Sequence, residues 1–343
     1  MATHPLCDLT IIGGGPVGLF ALFYAGMRGA TARIVDALPE LGGQLTALYP
    51  EKFIFDVAGF PKVLAKDLVR NLVDQAGQFH PDGLPAHLGQ RVTGLEEAEG
   101  HYVLVTDTDR FPTRAVIIAA GIGAFSPRRL PQPAAAPWYG KGIDALVASP
   151  EAYRDRDVVI IGGGDSAFDW CAQLRDKARS VTLVHRSDRF RAHAATVAEV
   201  QAAAAVGDGR VQLFTFHELE AVQGTDHVTG LTLKDLKAKT TRDIPCDAVL
   251  PMLGYVSDMG AMLEWGLTFD KDELVVTSCM EAGRPGIYGA GDITTYPGKL
   301  KLIAGGFGEA AIAVNQAVHH IYPDKKVTPG HSSNLAIFGQ KDE

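Results

Sequence analysis

Apolar residues follow two rhythms along this chain, and the rhythms alternate. Short apolar runs, Leu9, Ile11 and Ile12 in one place and Val158–Ile161 in another, have the length of buried strands, and each stops at glycines. Longer stretches follow with apolar residues three and four apart, from about Pro16 to Arg28 and from Ser166 onward, and these read as helices. A second short run comes next, Thr31–Val35 in one case and SVTLVH in the other. Strand, glycine turn, helix, strand therefore occurs twice, at Cys7–Asp36 and at Asp157–Arg186. Alternating strands and helices predict parallel sheets and an α/β fold.

Elsewhere the pattern is coarser. Lys62 to Gln78 has helical periodicity, and residues 88–118 alternate as the short strands RVTGLEE, HYVLVTD and AVIIAAG. Ala134 to Trp138 reads as a loop of small residues. A helix over Thr196–Ala205 precedes the strands RVQLFTF, HVTGLTLKD and DAVLPML. Glycines near Gly123 and at Gly254 punctuate the chain on either side of the second glycine unit and read as hinges. The domains predicted are 1–123, an inserted 124–254, and 255–343, which completes the first. In that last part a short strand ends in Gly-Ala-Gly-Asp, and Gly305, Gly306 and Gly308 open an alanine-rich helix. The polar tail from Asp324 reads as a flexible end. Phe53, Phe55 and Phe60 are assigned to the core, and Tyr49 to a site-forming segment where it can lie against a flat ring.

Composition narrows the class. The 343 residues allow about two domains, and 46% hydrophobic with 21% charged residues describes an ordinary globular chain. No apolar run is long enough to span a bilayer, and the N-terminus lacks the blocks of a signal peptide, so the expectation is cytoplasmic. A net charge of −8 without a long basic tract argues against general nucleic-acid binding. Cys7, Cys171, Cys246 and Cys279 form no C-x-x-C, so neither a dithiol nor a zinc ribbon is expected, and no metal site.

The glycine turns carry the chemistry. Gly13, Gly15 and Gly18 are spaced G-x-G-x-x-G: a tight turn, a close backbone approach to a pyrophosphate, and close helix–strand packing. Asp36, ending the next strand, accepts hydrogen bonds from a ribose 2′-OH and disfavours a 2′-phosphate. Gly162, Gly164 and Ala167 fill the same positions in the second unit, where His185 and Arg186 replace the acid, with Arg189 and Arg191 close by. Basic groups there suit a 2′-phosphate. Opposite ribose preferences predict FAD at the first site and NADPH at the second.

Read in order, these motifs resemble the low-molecular-weight thioredoxin reductase architecture. Within it, LGGQLTALYPEKFIFDVAGFP, GGGDSAFDW, YPGKLKLIAGGFGEAAIAVNQA and a tail with HSS resemble ferredoxin–NADP⁺ reductases of the thioredoxin-reductase-like type. The resemblance implies two Rossmann-like, three-layer domains, the NADP domain inserted into the FAD domain. A thioredoxin reductase carries C-x-x-C before its second glycine turn; here Leu146 and Ser149 stand near those positions, which excludes an internal dithiol.

The resemblance also assigns residues. Gln44, Tyr49, Val92, Phe125, Asp292 and Ser333 match positions that contact FAD, with Tyr49 on one flavin face. His331 is assigned to the other face, from the partner subunit of a homodimer. Gly162, Gly164 and Ala167 are assigned to the NADP pyrophosphate, and His185, Arg186 and Arg191 to its 2′-phosphate. Ser187 stands where the family often has a second arginine, which weakens the preference for NADPH over NADH.

No side-chain acid or base is required for the hydride step, so no catalytic residue is named. If the two domains are splayed, rotation about Gly123 and Gly254 must bring the rings together. The implied partner is ferredoxin or flavodoxin. An acidic partner needs a local basic patch on this acidic chain, for which Lys52, Lys62, Arg128, Arg129, Lys299 and Lys301 are candidates. Two other functions fit the same residues: a diaphorase acting on a quinone or a separate disulfide protein, and a flavin-dependent sensor without turnover.

Overall fold

The strand Cys7–Ile12 sits inside a parallel sheet because its apolar run is covered on both faces. The computed structural model describes residues 1–145, 147, 149–328 and 330–338, without the side chains of 124–126, 256–258 and 336. Two compact units result, Met1–Ala124 with Ser257–Glu343, and Phe125–Val256.

In the first unit the parallel strands run in the order Ala86–His87, Ala32–Val35, Cys7–Ile12, Asp109–Ile118, with Ile287–Gly289 beyond the last. Leu9, Ile11, Ile34, Ile117 and Ile118 are fully buried. The helix Pro16–Met27 is apolar almost all round, as a helix buried within a layer must be. It packs against the helices Ala65–Gly77 and Ile303–Ile321. Asp109–Ile118 begins earlier than its apolar run: Phe111 and Thr113 point inward while Arg114 points out, and this part pairs antiparallel with His101–Thr106. That strand in turn pairs with Val92–Ala98.

Two expectations need correction. The helix expected from Lys62 starts at Ala65, because Val63–Leu64 first pairs with Phe53–Ile54 in a hairpin. That hairpin is at the surface, and Phe53, Phe55 and Phe60 are 46%, 69% and 37% exposed rather than core. No further layer covers two-residue strands, and the Lys62 ammonium lies over the Phe53 ring at 5.0 Å.

The second unit has the parallel order Val211–Thr215, Ser180–His185, Asp157–Gly162, Ala248–Met252. Strand alternation divides its core. Val158 and Ile160 meet Phe168, Leu174 and Val200 from the helices Asp165–Leu174 and Ala194–Ala205. Val159 and Ile161 meet Leu219, Leu231 and Leu233 of a separate antiparallel sheet. That sheet pairs His217–Gly224, Val228–Asp235 and Thr241–Pro245. Its outer strands are too charged to announce themselves by apolar pattern; pairing with Val228–Asp235 holds them.

No helix among the described residues is long and apolar enough to cross a membrane. Cys171 and Cys246 are buried, Cys7 and Cys279 half-buried, and all four are free thiols.

Candidate functional site

The first glycine turn is shaped by close backbone contact at two of its three glycines. A Cβ at Gly13, whose φ is +108°, would lie 2.4 Å from the Ala119 carbonyl oxygen, and one at Gly18 would lie 1.9 Å from the Gly13 carbonyl oxygen. Gly15 differs: its Cβ would meet nothing nearer than the Gly43 Cα at 3.9 Å. Gly15 is the N-cap of Pro16–Met27, and no side chain caps that helix. The start of the helix is therefore a bare set of N–H donors facing open space, which is the chemistry an anionic pyrophosphate requires.

Around this turn lies a cleft of about 1000 Å³, part of it open to solvent. It brings together Gly13, Gly15, Asp36, Gln44, Tyr49, Val92 and Asp292 from five separate stretches of the chain. Asp36 is 9% exposed; its carboxylate accepts the Gly14 N–H and, at 2.8 Å, the Leu38 N–H, which fixes its orientation toward the cleft. Burial raises the Asp36 pKa above the usual carboxylate range, against the pull of those two N–H groups. Burial also raises Asp292, while the Lys299 and Lys301 ammoniums pull it down. The Tyr49 phenol is raised by burial and by the Asp292 charge beside it. Gly18 lies beneath the cleft as a packing residue.

Sequence patterns did not indicate Gln90, Arg91, Met259 and Met262, which also line the cleft. They carry no local signature, and tertiary folding alone gathers them. Glu309, behind the Gly291–Asp292 turn, was also missed. A lone acid in the apolar stretch GFGEAAIAV was the available signal.

His331 is elsewhere in its own chain. With Met27, Arg28, Lys326 and Asn334 it borders a separate cavity at the C-terminal end of the helix Pro16–Met27, opposite the glycine turn. Arg28 holds the tail there, donating to the Lys326 carbonyl at 2.6 Å and the Val327 carbonyl at 3.2 Å. Ser333 is in the short turn Ser332–Asn334, exposed and outside the cleft. The Phe125 side chain and Leu146 lie outside the described residues. Ser149 caps the short turn Pro150–Tyr153 by accepting the Glu151 N–H at 3.2 Å.

The second turn repeats the construction with different chemistry. A Cβ at Gly162 would lie 2.3 Å from the Met252 carbonyl oxygen, Ala167 is fully buried, and Gly164 faces open space. Gly164 caps Asp165–Leu174 without a side-chain bond. Gly163 leaves room for the His185 ring, whose atoms would lie within 2.6 Å of a Cβ there. The Arg191 N–H donates to the Gly163 carbonyl at 2.8 Å and draws the basic loop over the turn. Arg186, Arg189 and Arg191 are exposed, and among the described residues no carboxylate pairs with them, in contrast to Arg114, Arg154, Arg175 and Arg179, which are held in ion pairs. His185 is pushed toward its neutral form by burial and by the Arg186 and Arg191 charges, against a contact to the Arg189 carbonyl.

Lys299, a candidate for a surface patch, is instead buried: its side chain is 5% exposed and paired with Glu309. Among the described residues no group of His, Cys, Asp and Glu is arranged to hold a metal.

The family profile of the pyridine nucleotide-disulphide oxidoreductases matches residues 7–317. A ferredoxin–NADP reductase of Thermus thermophilus is 48% identical, over 97% of this chain and 98% of its own. Another, of a Nocardioides species, is 49% identical over 95% of this chain and 96% of its own. Among solved structures, the thioredoxin reductase of T. acidophilum superposes with a TM-score of 0.70 at 23% identity, covering 92% of this chain and 98% of that one; at that identity the likeness is one of fold.

Proposed function

The chain belongs to the pyridine nucleotide-disulphide oxidoreductase family, among its ferredoxin–NADP reductases, and from that premise we propose that it exchanges a hydride between NADPH and FAD and single electrons between FAD and ferredoxin or flavodoxin. The observation that carries this reading is the pairing of one glycine turn with a buried acid and of the other with three exposed arginines. FAD, when bound, supplies the step from two-electron to one-electron chemistry. The protein binds, orients and shields.

In this reading the unit Met1–Ala124 with Ser257–Glu343 holds FAD. Gly13 and Gly15 take the pyrophosphate, Gly18 packs the helix beneath it, Asp36 takes the adenosine ribose, and Asp292 the ribityl or phosphate part. Tyr49 lies on one flavin face, and Gln44, Val92 and Phe125 complete the lining. The unit Phe125–Val256 holds NADP(H), with Gly162, Gly164 and Ala167 at the pyrophosphate and His185, Arg186 and Arg191 at the 2′-phosphate. No internal dithiol competes for the electrons. Cys171 and Cys246 are buried with thiols raised to about 12, mainly by burial.

His331 and Ser333 act in this reading from the partner of a homodimer. Their place at the far end of the helix Pro16–Met27 in their own chain supports that, because there they are out of reach of their own cleft. Size-exclusion chromatography with light scattering tests the dimer. Free cysteines fit a cytoplasmic setting. For docking an acidic acceptor the exposed Lys52, Lys62, Arg128, Arg129 and Lys301 remain, and Lys299 drops out.

The deciding experiment is cytochrome c reduction by the FAD-loaded protein with NADPH, with and without ferredoxin, and NADH in parallel. Ferredoxin-dependent reduction with NADPH preferred supports the whole reading. Dye reduction that ferredoxin does not stimulate leaves a diaphorase, and no flavin reduction by either nucleotide leaves the sensor.

A further inference from the structure

Behind the Gly291–Asp292 turn lies a polar cluster that the chemistry above does not use. The Lys299 ammonium donates to both Glu309 carboxylate oxygens, at 2.5 and 2.7 Å, and both side chains are 5% exposed. The Gly291 N–H donates to Glu309 Oε2 at 2.7 Å, and the Tyr296 hydroxyl to Oε1 at 2.8 Å. Thr294 donates its hydroxyl to the Gly291 carbonyl at 2.8 Å, which secures the next peptide of the same turn. Gly291 itself is at φ +83°, with room for a Cβ only 3.1 Å from Val17. Gly306, on the helix that carries Glu309, presses on the same Val17, where a Cβ would lie 2.4 Å from Cγ2. Val17, Gly291 and Asp292 all line the cleft.

A buried ion pair adds little net stability over apolar side chains of the same volume, so this one calls for another explanation. Three donors meet at one carboxylate through four hydrogen bonds, and one of them is the backbone of the turn that presents Asp292. We propose that Glu309 is a positioning residue for the flavin: clamped by Lys299 and Tyr296, it fixes the Gly291–Asp292 turn against the bound cofactor. This rests on the reading of the cleft as the FAD site. The pair also balances charge behind that site, so removing either member leaves an uncompensated charge of known sign beside the cleft.

The test uses the full chain as Glu309→Gln, Lys299→Met and Tyr296→Phe variants. FAD affinity of each apoprotein is measured by fluorescence titration, and the flavin midpoint potential of each holoprotein by dye equilibration. FAD binding at least tenfold weaker is expected in Glu309→Gln and Lys299→Met. The potential should move up in Glu309→Gln, where a positive charge is left over, and down in Lys299→Met, where a negative one is. A merely structural role gives no such opposite signs. Tyr296→Phe removes one hydrogen bond and no charge, and serves if the charge variants do not fold; at least threefold weaker FAD binding is expected of it. Wild-type affinity and potential in Glu309→Gln, or wild-type affinity in Tyr296→Phe where only that variant folds, would overturn the proposal alone. Wild-type protein that takes up no FAD would overturn the reading of the cleft and the proposal with it.

Discussion

Gly15 and Gly18 stand three residues apart and answer to opposite constraints. At Gly18 the missing side chain is replaced by the Gly13 carbonyl oxygen, which a Cβ would approach to 1.9 Å, so Gly18→Ala forces helix and turn apart. Such overpacking costs about 1–3 kcal/mol, and the apoprotein's urea midpoint should fall accordingly. At Gly15 the backbone has φ −71°, which alanine adopts freely, and the space beyond is open. Gly15→Ala should therefore leave apoprotein stability nearly unchanged and weaken FAD binding at least tenfold; weakened folding with intact binding would reverse the assignment. At the second turn, Arg186→Ala and Arg191→Ala each remove an exposed cation that makes no ion pair among the described residues. A charge-assisted hydrogen bond is worth about 1.5–3 kcal/mol, so kcat/KM for NADPH should drop tenfold or more while that for NADH barely moves. Equal losses with both nucleotides would remove the 2′-phosphate from the picture. These residues were legible in the sequence because their roles are set by spacing within one strand–turn–helix–strand unit. Gln90, Arg91, Met259 and Met262 were not, because their position at the cleft is a product of tertiary packing.

At the scale of elements, apolar periodicity found what was buried by its own pattern and missed what was held by neighbours. The helix Pro16–Met27 and the strand Asp157–Gly162 announce themselves, since every inward position is apolar. Thr241–Pro245 carries threonine, arginine and aspartate and exists through its ladder with Val228–Asp235. The hairpin of Phe53–Ile54 and Val63–Leu64 inverts the usual inference, because its aromatics sit where no second layer reaches them. Phe55 is 69% exposed, so Phe55→Ser should change the urea midpoint by no more than the roughly 0.5 kcal/mol typical of surface substitutions. A loss of 3 kcal/mol or more, about the cost of emptying a core site, would mean that Phe55 is buried after all.

Across the whole molecule, proton linkage gathers these local environments into one curve. Burial lowers the pKa of His80, His87 and His185 below the ordinary imidazole value of 6.5. His87 is pushed further by the charges of His4 and Arg33, with Asp109 opposing, and His185 by Arg186 and Arg191. A lowered imidazole is neutral in the folded chain at a pH where the unfolded chain already binds a proton. Stability is then whole above the unfolded value and is lost as pH falls from there toward the folded values. Asp36 and Asp292, raised by burial, act in the opposite sense but only nearer the carboxylate range, where their folded forms take up protons first. The apoprotein's urea midpoint should therefore decline between about pH 7 and pH 5.5, above the range in which the carboxylates titrate. His87→Gln removes one of the three contributions and should flatten that decline without abolishing it. A midpoint constant across this interval would mean that the three imidazoles titrate in the folded chain as they do in the unfolded one, and that their surroundings are wetter than their burial indicates.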